Sequence, residues 1–432
     1  MRIVAITLYI ILFTRLSTCQ LESCTQNNDE NHCYEKQFST IKNKSKRFLL
    51  YDVNPGEGFN LRRDVYMRIA TLVKKLNEAT TEHQWILVLP PWGPLYHWKS
   101  KNINFQSQIK WSMFFDLTSL KKYVPVIELH EFLNEHGPAI DDLYYLQHYA
   151  EGWTNGAWEE RANIRECIEP PPYRKFQNVF NGWFWGFDEI YAMNFHCLSI
   201  QGYSSTLKKF LFHSSASAIM IDRAEVILHD AFGDSEYWMV RRSMVFSQKL
   251  ISIGNDFRKL HLNSSDEEGK TILKPGELNS QIVRKAIGGP YISVHLRRRD
   301  FVKARPTEVP SIKFAAKQIK KKMKDLNLKL VFIATDSTES EFDELKKIIP
   351  EIKRFVPSKE LHQDILDGGV AIIDQWICAH ARYFIGTYES TFSFRIQEER
   401  EIMGFPADTT FNRLCGDNQT TCSQPSKWTI VF

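Results

Sequence analysis

Strand-type and helix-type patterns alternate along this chain in both of its halves, and nothing else in the sequence limits its fold as much. In the first half Arg47–Val53 reads as a strand. Leu61–Glu78 then places Leu61, Val65, Ile69, Leu72, Val73 and Leu76 on one helical face. Trp85–Leu89 reads as a buried strand, stopped by Pro90 and Pro91, which cannot donate to a ladder. In the second half the run is longer: strand Tyr291–Leu296, helix Ser311–Leu326, strand Lys329–Ala334, helix Ser337–Ile348, buried helix Gly369–Ala381, strand Tyr383–Gly386 and helix Thr391–Met403. Strands separated by helices pair in parallel, and the crossing helices cover both faces of the sheet. The expected fold is therefore α/β, with two Rossmann-like domains facing across a cleft.

The length agrees, because 432 residues exceed what one hydrophobic core serves. The expected division is a leader at 1–20, then domains at 21–245 and 246–432. In the leader Arg2 precedes the apolar run Ile3–Phe13, with small residues near Ser17 and Thr18. That is the pattern of a cleaved secretory signal, too short to span a bilayer. No later segment offers about twenty unbroken apolar residues, so the mature chain is expected to be soluble and lumenal or secreted. Eight cysteines suit an oxidising compartment. Cys167 with Cys197, Cys415 with Cys422, and Cys24 with Cys33 make sensible pairs, although sequence alone leaves connectivity open. Cys378 lies in the apolar stretch Ile372–Ala379 and reads as a buried thiol, not a nucleophile. Sequons at Asn43, Asn263 and Asn418 suit a glycosylated secretory-pathway protein. A net charge of +4 is too balanced to imply nucleic-acid binding. The lysines of 317–324 read as the solvated face of a helix, and Asn263–Ser280 as a surface loop.

Four clusters carry chemistry. In the first, Glu57 stands between Gly56 and Gly58 in the turn after the first strand, and Phe59 and Asn60 open the helix. Helix-start N–H groups attract phosphate, glycines allow close approach, and Asn60 is a good N-cap. The same turn also reads as a plain connection whose acid the helix dipole favours. In the second, a strand ends in His295-Leu296-Arg297-Arg298-Arg299-Asp300. Alternation sends His295 and Arg297 to one face, and Leu296 and Arg298 to the other. Arg297 is suited to clamp a diphosphate with paired donors; a surface salt bridge to Asp300 is the plainer alternative. In the third, Asp374 interrupts an apolar helix, and a buried acid needs a partner. A guanine base, a structural arginine and a backbone N–H all qualify. In the fourth, Ser390, Thr391 and Phe392 open the last helix, either as a phosphate or sugar cradle or as an ordinary cap. Arg395 and Glu399 on that helix are spaced to pair with each other. Trp92, Tyr96, Trp98, Trp111, Phe114 and Phe115 follow the second strand, and most of them read as packing. The chain has no D-x-D, no G-x-x-x-x-G-K-S/T loop and no G-x-S-x-G elbow. A diphosphate here would be neutralised by arginine and N–H groups, with no metal.

The segments NPGEGFNLRRD, VLPPWGPLYHW, HLRRRDF, GGVAIIDQWICAHARYFIGT and STFSFRIQEERE resemble, in order and over nearly the whole mature chain, the protein O-fucosyltransferases. The resemblance is to the second type, which modifies thrombospondin type 1 repeats. It implies a GT-B architecture and inverting transfer of fucose from GDP-fucose to a Ser/Thr hydroxyl of a folded, disulfide-bonded repeat. It implies the endoplasmic reticulum lumen as the compartment, and no essential metal or other cofactor. The family's base maps onto Glu57 and its donor-contacting turn onto Gly56–Asn60. Its motif histidine and arginine map onto His295 and Arg297, with Leu296 between them, and its base-contacting aspartate onto Asp374. Phosphate and sugar contacts map onto Ser390, Thr391 and Phe392, and a helix glutamate important for activity onto Glu399. Gly56 departs from the proline familiar in relatives, which loosens the turn. Two other functions share these residues: a quality-control partner of folding repeats, and a fucosyltransferase for EGF-like repeats. Retention of Glu57 and Arg297 together speaks against a dead enzyme. The expected partners are acceptor repeats and GDP-fucose, with no nucleic acid and no membrane span.

Overall fold

The computed structural model describes residues 44–98, 100, 106–153, 156–272, 284–417, 419–426 and 428–432. The expected signal segment, Cys24, Cys33, Asn43 and Asn418 lie outside them. One compact unit takes in Arg47–Ala79 and Trp85–Phe432. In the other, of which 44–46 and 80–84 are described, Ser45 Oγ meets His83 Nδ1 at 2.5 Å.

Strands β1 (Ser45–Tyr51), β2 (His83–Leu89), β3 (Val126–Glu128), β4 (Ala139–Gln147), β5 (Arg161–Arg165), β6 (Arg174–Phe176), β7 (Val179–Asn181), β8 (Tyr191–Gln201) and β9 (Ala218–Asp222) form one nine-stranded sheet. Its order is β3-β2-β1-β9-β4-β8-β7-β6, with β5 also paired to β8. The β2–β3, β1–β9, β9–β4 and β4–β8 pairs are parallel, whereas β5, β6 and β7 pair antiparallel. Strands β10 (Gly289–Leu296), β11 (Leu330–Thr335), β12 (Ile352–Lys353), β13 (Ala381–Gly386) and β14 (Asn412–Arg413) form a second sheet, wholly parallel, in the order β12-β11-β10-β13-β14. The longer helices are α1 (Phe59–Ala79), α2 (Ser235–Ser243), α3 (Gln248–Leu262), α4 (Ile312–Asp325), α5 (Glu339–Ile348), α6 (Lys359–Ala379) and α7 (Thr391–Met403).

The parallel strands are apolar because both faces are covered: Leu49 and Leu50 of β1, and Ile292 and Val294 of β10, are fully buried. Helix α4 turns Ile312, Ala315, Ala316 and Ile319 inward and leaves its lysines on the outer face. Helix α6 starts at Lys359, earlier than the expected Gly369, and is broken at Leu366, where φ is 62° and ψ 176°. It stops at Ala379 because Ala381 already belongs to β13. Against α6 packs α3: Trp376 donates its indole N–H to Asn255 at 2.7 Å, and a Cβ on Gly254 would fall 2.6 Å from that indole. Helix α3 ends at exposed Asn263 in the left-handed region (φ 50°). The polar segment beyond it holds one short helical turn, Asp266–Gly269, before passing out of the described residues.

Trp92, Trp111, Phe114 and Phe115 pack together under the connection that follows β2. Phe59 at the start of α1 joins them, 4.8 Å from Trp92 and 5.6 Å from Phe114. Tyr96 is exposed, and Trp98 packs on the edge of this cluster, 5.5 Å from Phe59 and 5.8 Å from Phe114, while also lining the cavity described below. Disulfides join Cys167 to Cys197 and Cys415 to Cys422, and Cys378 is a buried free thiol. No helix among the described residues is long and apolar enough to cross a membrane.

Candidate active site

Open parallel sheets bind ligands beyond the carboxyl ends of their strands. In this fold a cavity of about 340 Å³ lies there. The turn after β1 supplies Gly58, Phe59 and Asn60, and the end of β10 supplies His295, Arg297 and Arg299. The end of β11 supplies Asp336, and the connection after β2 supplies His97, Trp98 and Ser100. Helix α6 presents Asp367, Val370, Ala371 and Asp374, spaced three, four and seven apart and so on one face. Ser390, Thr391 and Phe392 come from the start of α7.

Glu57 is half-buried in a turn whose own N–H groups return to Asn54: Glu57 N–H to the carbonyl at 2.9 Å, Gly56 N–H to Oδ1 at 3.1 Å. Its side chain does not line the cavity, although its neighbour Gly58 does. Burial holds its carboxyl above the ordinary glutamate range, the Glu225 carboxylate adds to this, and Arg62 opposes it. Neither Gly56 nor Gly58 needs positive φ. A Cβ would stand 3.6 Å from Asn54 at Gly56 and 3.5 Å from His97 at Gly58, which are ordinary contacts. Glycine at 58 keeps the cavity face clear. Asn60 is not the N-cap. The helix begins at Phe59, two residues before the expected Leu61, with the Gly58 carbonyl accepting from Arg62 N–H at 3.1 Å. The Asn60 side chain instead accepts from Gln375 Nε2 at 2.9 Å, across from α6.

His295 and Arg297 share the cavity face, while Arg298 turns away to Glu341 at 2.7 Å. Leu296 packs into the core on the far side of β10 and does not line the cavity. His295 is stacked on Phe392 (centroids 4.3 Å, 24°) and meets Ser393 Oγ through Nδ1 at 2.9 Å. Burial, with the nearby Arg297 charge, pushes its pKa down to about 3, so the ring is neutral at physiological pH. Arg297 pairs with Asp300 at 2.9 Å and with Asp336 at 3.2 Å. It is thus both a cavity wall and a salt-bridge member.

Asp374 differs from every other acid of the site. Its Oδ1 is buried with no hydrogen-bond partner among the described residues. Burial holds its carboxyl well above the ordinary aspartate range, against the opposing Arg354 charge. Ser390 occupies the N-cap position of α7, yet its side chain makes no capping bond. Ser390, Thr391 and Phe392 at that helix start line the cavity, and the first N–H groups of a helix have no partner within it.

Glu399 lies outside the cavity. Its carboxylate accepts from buried Arg241 of α2 at 2.8 Å. The pair expected between Arg395 and Glu399 does not form. Arg395 binds Glu398 at 2.8 Å and Asp64 at 3.5 Å, because Glu398 faces the buried side of α7 and Glu399 the side toward Arg241. His97, Asp336, His362, Asp367 and Gln375 are site groups that the residue patterns did not single out. Asp336 sits just past β11, where the strand-exit rule points, and Gln375 adjoins Asp374. Among the described residues, no three His, Cys, Asp or Glu side chains gather as a metal site.

Residues 48–403 match the family model described as GDP-fucose protein O-fucosyltransferase. The chain is 51% identical over 391 residues to GDP-fucose protein O-fucosyltransferase 2 of Homo sapiens, covering 90% of each sequence. It is 49% identical over 397 residues to the protein of that name from Caenorhabditis elegans, covering 90% of this chain and 91% of the other. Its backbone superposes on the crystal structure of POFUT1 in complex with GDP-fucose with a TM-score of 0.55, at 17% identity, over 85% of this chain and 98% of that one. The POFUT1 complex with GDP gives 0.54 at 16% identity, over 85% and 98%. At such identity the likeness is one of fold: a GT-B type with Rossmann-like α/β halves.

Proposed function

This chain belongs to the GDP-fucose protein O-fucosyltransferase family, and from that premise we propose that its cavity binds GDP-fucose and that it transfers the fucose, with inversion, to a serine or threonine hydroxyl of a folded thrombospondin type 1 repeat. The observation that carries the donor reading is the orphaned carboxylate of Asp374 on the cavity wall. Guanine offers one carboxylate two adjacent N–H donors, which is what that oxygen lacks. The same cavity holds an arginine and an uncapped helix start, both suited to a diphosphate.

In the proposed reaction the acceptor oxygen bonds to the anomeric carbon as the bond to the β-phosphate oxygen breaks. Glu57 takes the acceptor proton. Arg297 and the N–H groups of α7 receive the charge left on the diphosphate. Neutral His295 keeps α7 and Phe392 in place through Ser393 and its ring stack. Arginine and N–H groups do what a metal does in other transferases, so no metal or further cofactor is required. Glu399 contributes through Arg241, as a positioning residue.

The reading assigns acceptor and base to residues 21–245 and donor binding to 246–432. It places the mature chain in the endoplasmic reticulum lumen, in keeping with the Cys167–Cys197 and Cys415–Cys422 disulfides. Asn263, Asn43 and Asn418 are the proposed glycosylation sites, and Cys24–Cys33 a further disulfide. The test is Glu57→Ala, which should abolish transfer and spare GDP binding; wild-type turnover would remove the assignment. The base works ionised, so kcat/KM should fall on its acid side at a pH above the ordinary glutamate value of 4.5.

A further inference from the structure

The turn that carries Glu57 is gripped by two mostly buried side chains from different elements. Arg62, on the first turns of α1, sends its guanidinium back over it. Nε donates to the carbonyl of Glu57 at 3.2 Å, and NH2 donates to the carbonyls of Val53 and Asn54, each at 3.0 Å. NH1 donates to Asp52 Oδ1 at 3.2 Å, which fixes the fork. From the single turn after β9, Glu225 accepts the N–H of Asn54 through Oε2 at 3.1 Å. Asn54 in turn holds the N–H groups of Gly56 and Glu57. A loop is ordinarily free to shift by an ångström or more, and here the main chain on both sides of Glu57 is tied to one rigid, planar cation.

We infer that Arg62 and Glu225 are the positioning pair of the proposed base: Arg62 fixes the carbonyls that flank Glu57, and Glu225 anchors Asn54, the hub of the turn. The inference rests on the reading of Glu57 as base. The two charges also act on Glu57 in opposite senses, Arg62 lowering and Glu225 raising its pKa. Other ionisable groups around the turn are Asp52 on Arg62, Arg223 at 3.8 Å from Glu225, Asp222, which accepts from Tyr173 at 2.7 Å, and His97, whose ring stands beside Gly58.

The experiment compares Arg62→Lys, Arg62→Gln, Glu225→Gln and Glu57→Gln for kcat, KM, the pH profile of kcat/KM, GDP affinity and Tm. Arg62→Lys keeps the cation and loses the fork. Its kcat should fall ~100-fold, the scale of a misplaced catalytic group, with GDP affinity and the acid limb unchanged. Arg62→Gln should lose kcat similarly and move the acid limb to higher pH, whereas Glu225→Gln should move it to lower pH. Loss of Tm and GDP affinity together, with the limb unmoved, would make the clamp merely structural and overturn the inference. Wild-type kcat and profile in Arg62→Lys and Glu225→Gln, beside a dead Glu57→Gln, would overturn it and leave the base standing. Wild-type turnover by Glu57→Gln would instead remove the base. If the Arg62 variants do not fold, the direction of the Glu225→Gln limb decides alone.

Discussion

Gln375 donates from Nε2 to Oδ1 of Asn60 at 2.9 Å, and so joins the helix that bears Asp374 to the helix that follows Glu57. Arg63 adds a second tie, donating to Gln375 Oε1 at 2.7 Å. The Arg63 tie is buried and the Asn60 tie partly so, in surroundings where a hydrogen bond is strong and a broken one costly. The proposed donor and acceptor machinery therefore share one polar joint beneath the cavity floor.

The empty bonding capacity of Asp374 sets the first prediction. Asp374→Asn should weaken GDP affinity by roughly 100-fold and erase preference for GDP over ADP, as expected where a site built to take N–H donors loses its acceptor. Burial favours the protonated carboxyl in the free protein, and N–H donors favour the ionised one. GDP binding should then release a proton, and affinity should rise with pH. Calorimetry in buffers of different ionisation enthalpy measures that release.

Arg297 is already oriented by Asp300 and Asp336. Arg297→Lys keeps the charge but not the fork, so transfer should fall by ~10-fold or more. Arg297→Ala should lose transfer and weaken GDP binding as well. Chelation should leave the wild-type rate largely intact. Complete loss in EDTA, restored by manganese, would contradict the arginine account.

Arg241 is buried against Glu398 at 2.6 Å and Glu399 at 2.8 Å. Removing the cation leaves two acids short of a partner, so Arg241→Met should cost about 3–5 kcal/mol in urea unfolding. Glu399→Gln should cost less, and the double variant should be clearly non-additive. Simple additivity would mean the two side chains act independently.

Asp222 gives a pH-dependent prediction. Burial and the neighbouring Asp52 carboxylate push its pKa up from 3.8 to about 7. The folded chain holds a proton that the unfolded chain has given up. The stability it contributes is therefore full below the unfolded value and is lost as pH rises through the folded one. Asp222→Asn keeps an acceptor for Tyr173 and cannot ionise. Its Tm should exceed wild type by a few degrees above neutrality and converge with it in acid. A constant offset across pH would contradict this.

The parallel core of the second sheet was legible because strands buried on both faces are unbroken apolar runs; in the first sheet only β1 and β2 were expected, and β3, β4, β8 and β9, which also pair in parallel, were not. Strands β10, β11 and β13 stand close to where the pattern put them, and the strand-exit rule led to Gly58, His295 and Arg297. The antiparallel strands β5, β6 and β7 were not legible. They are short and mostly exposed, so no apolar run marks them. Asn60 misled because capping preference is local, whereas its side chain answers to Gln375, far away in sequence. Glu399 misled for the same reason. A helix neighbour four residues off is easily seen, and Arg241, on another helix altogether, is not.

The central claim is tested most directly by incubating the protein with GDP-fucose and a panel of folded thrombospondin type 1 and EGF-like repeats, then reading intact masses. The account predicts the addition of one fucose to the thrombospondin repeats alone, and none with Glu57→Ala. Fucose on EGF-like repeats only, or on no repeat while GDP still binds, would contradict it.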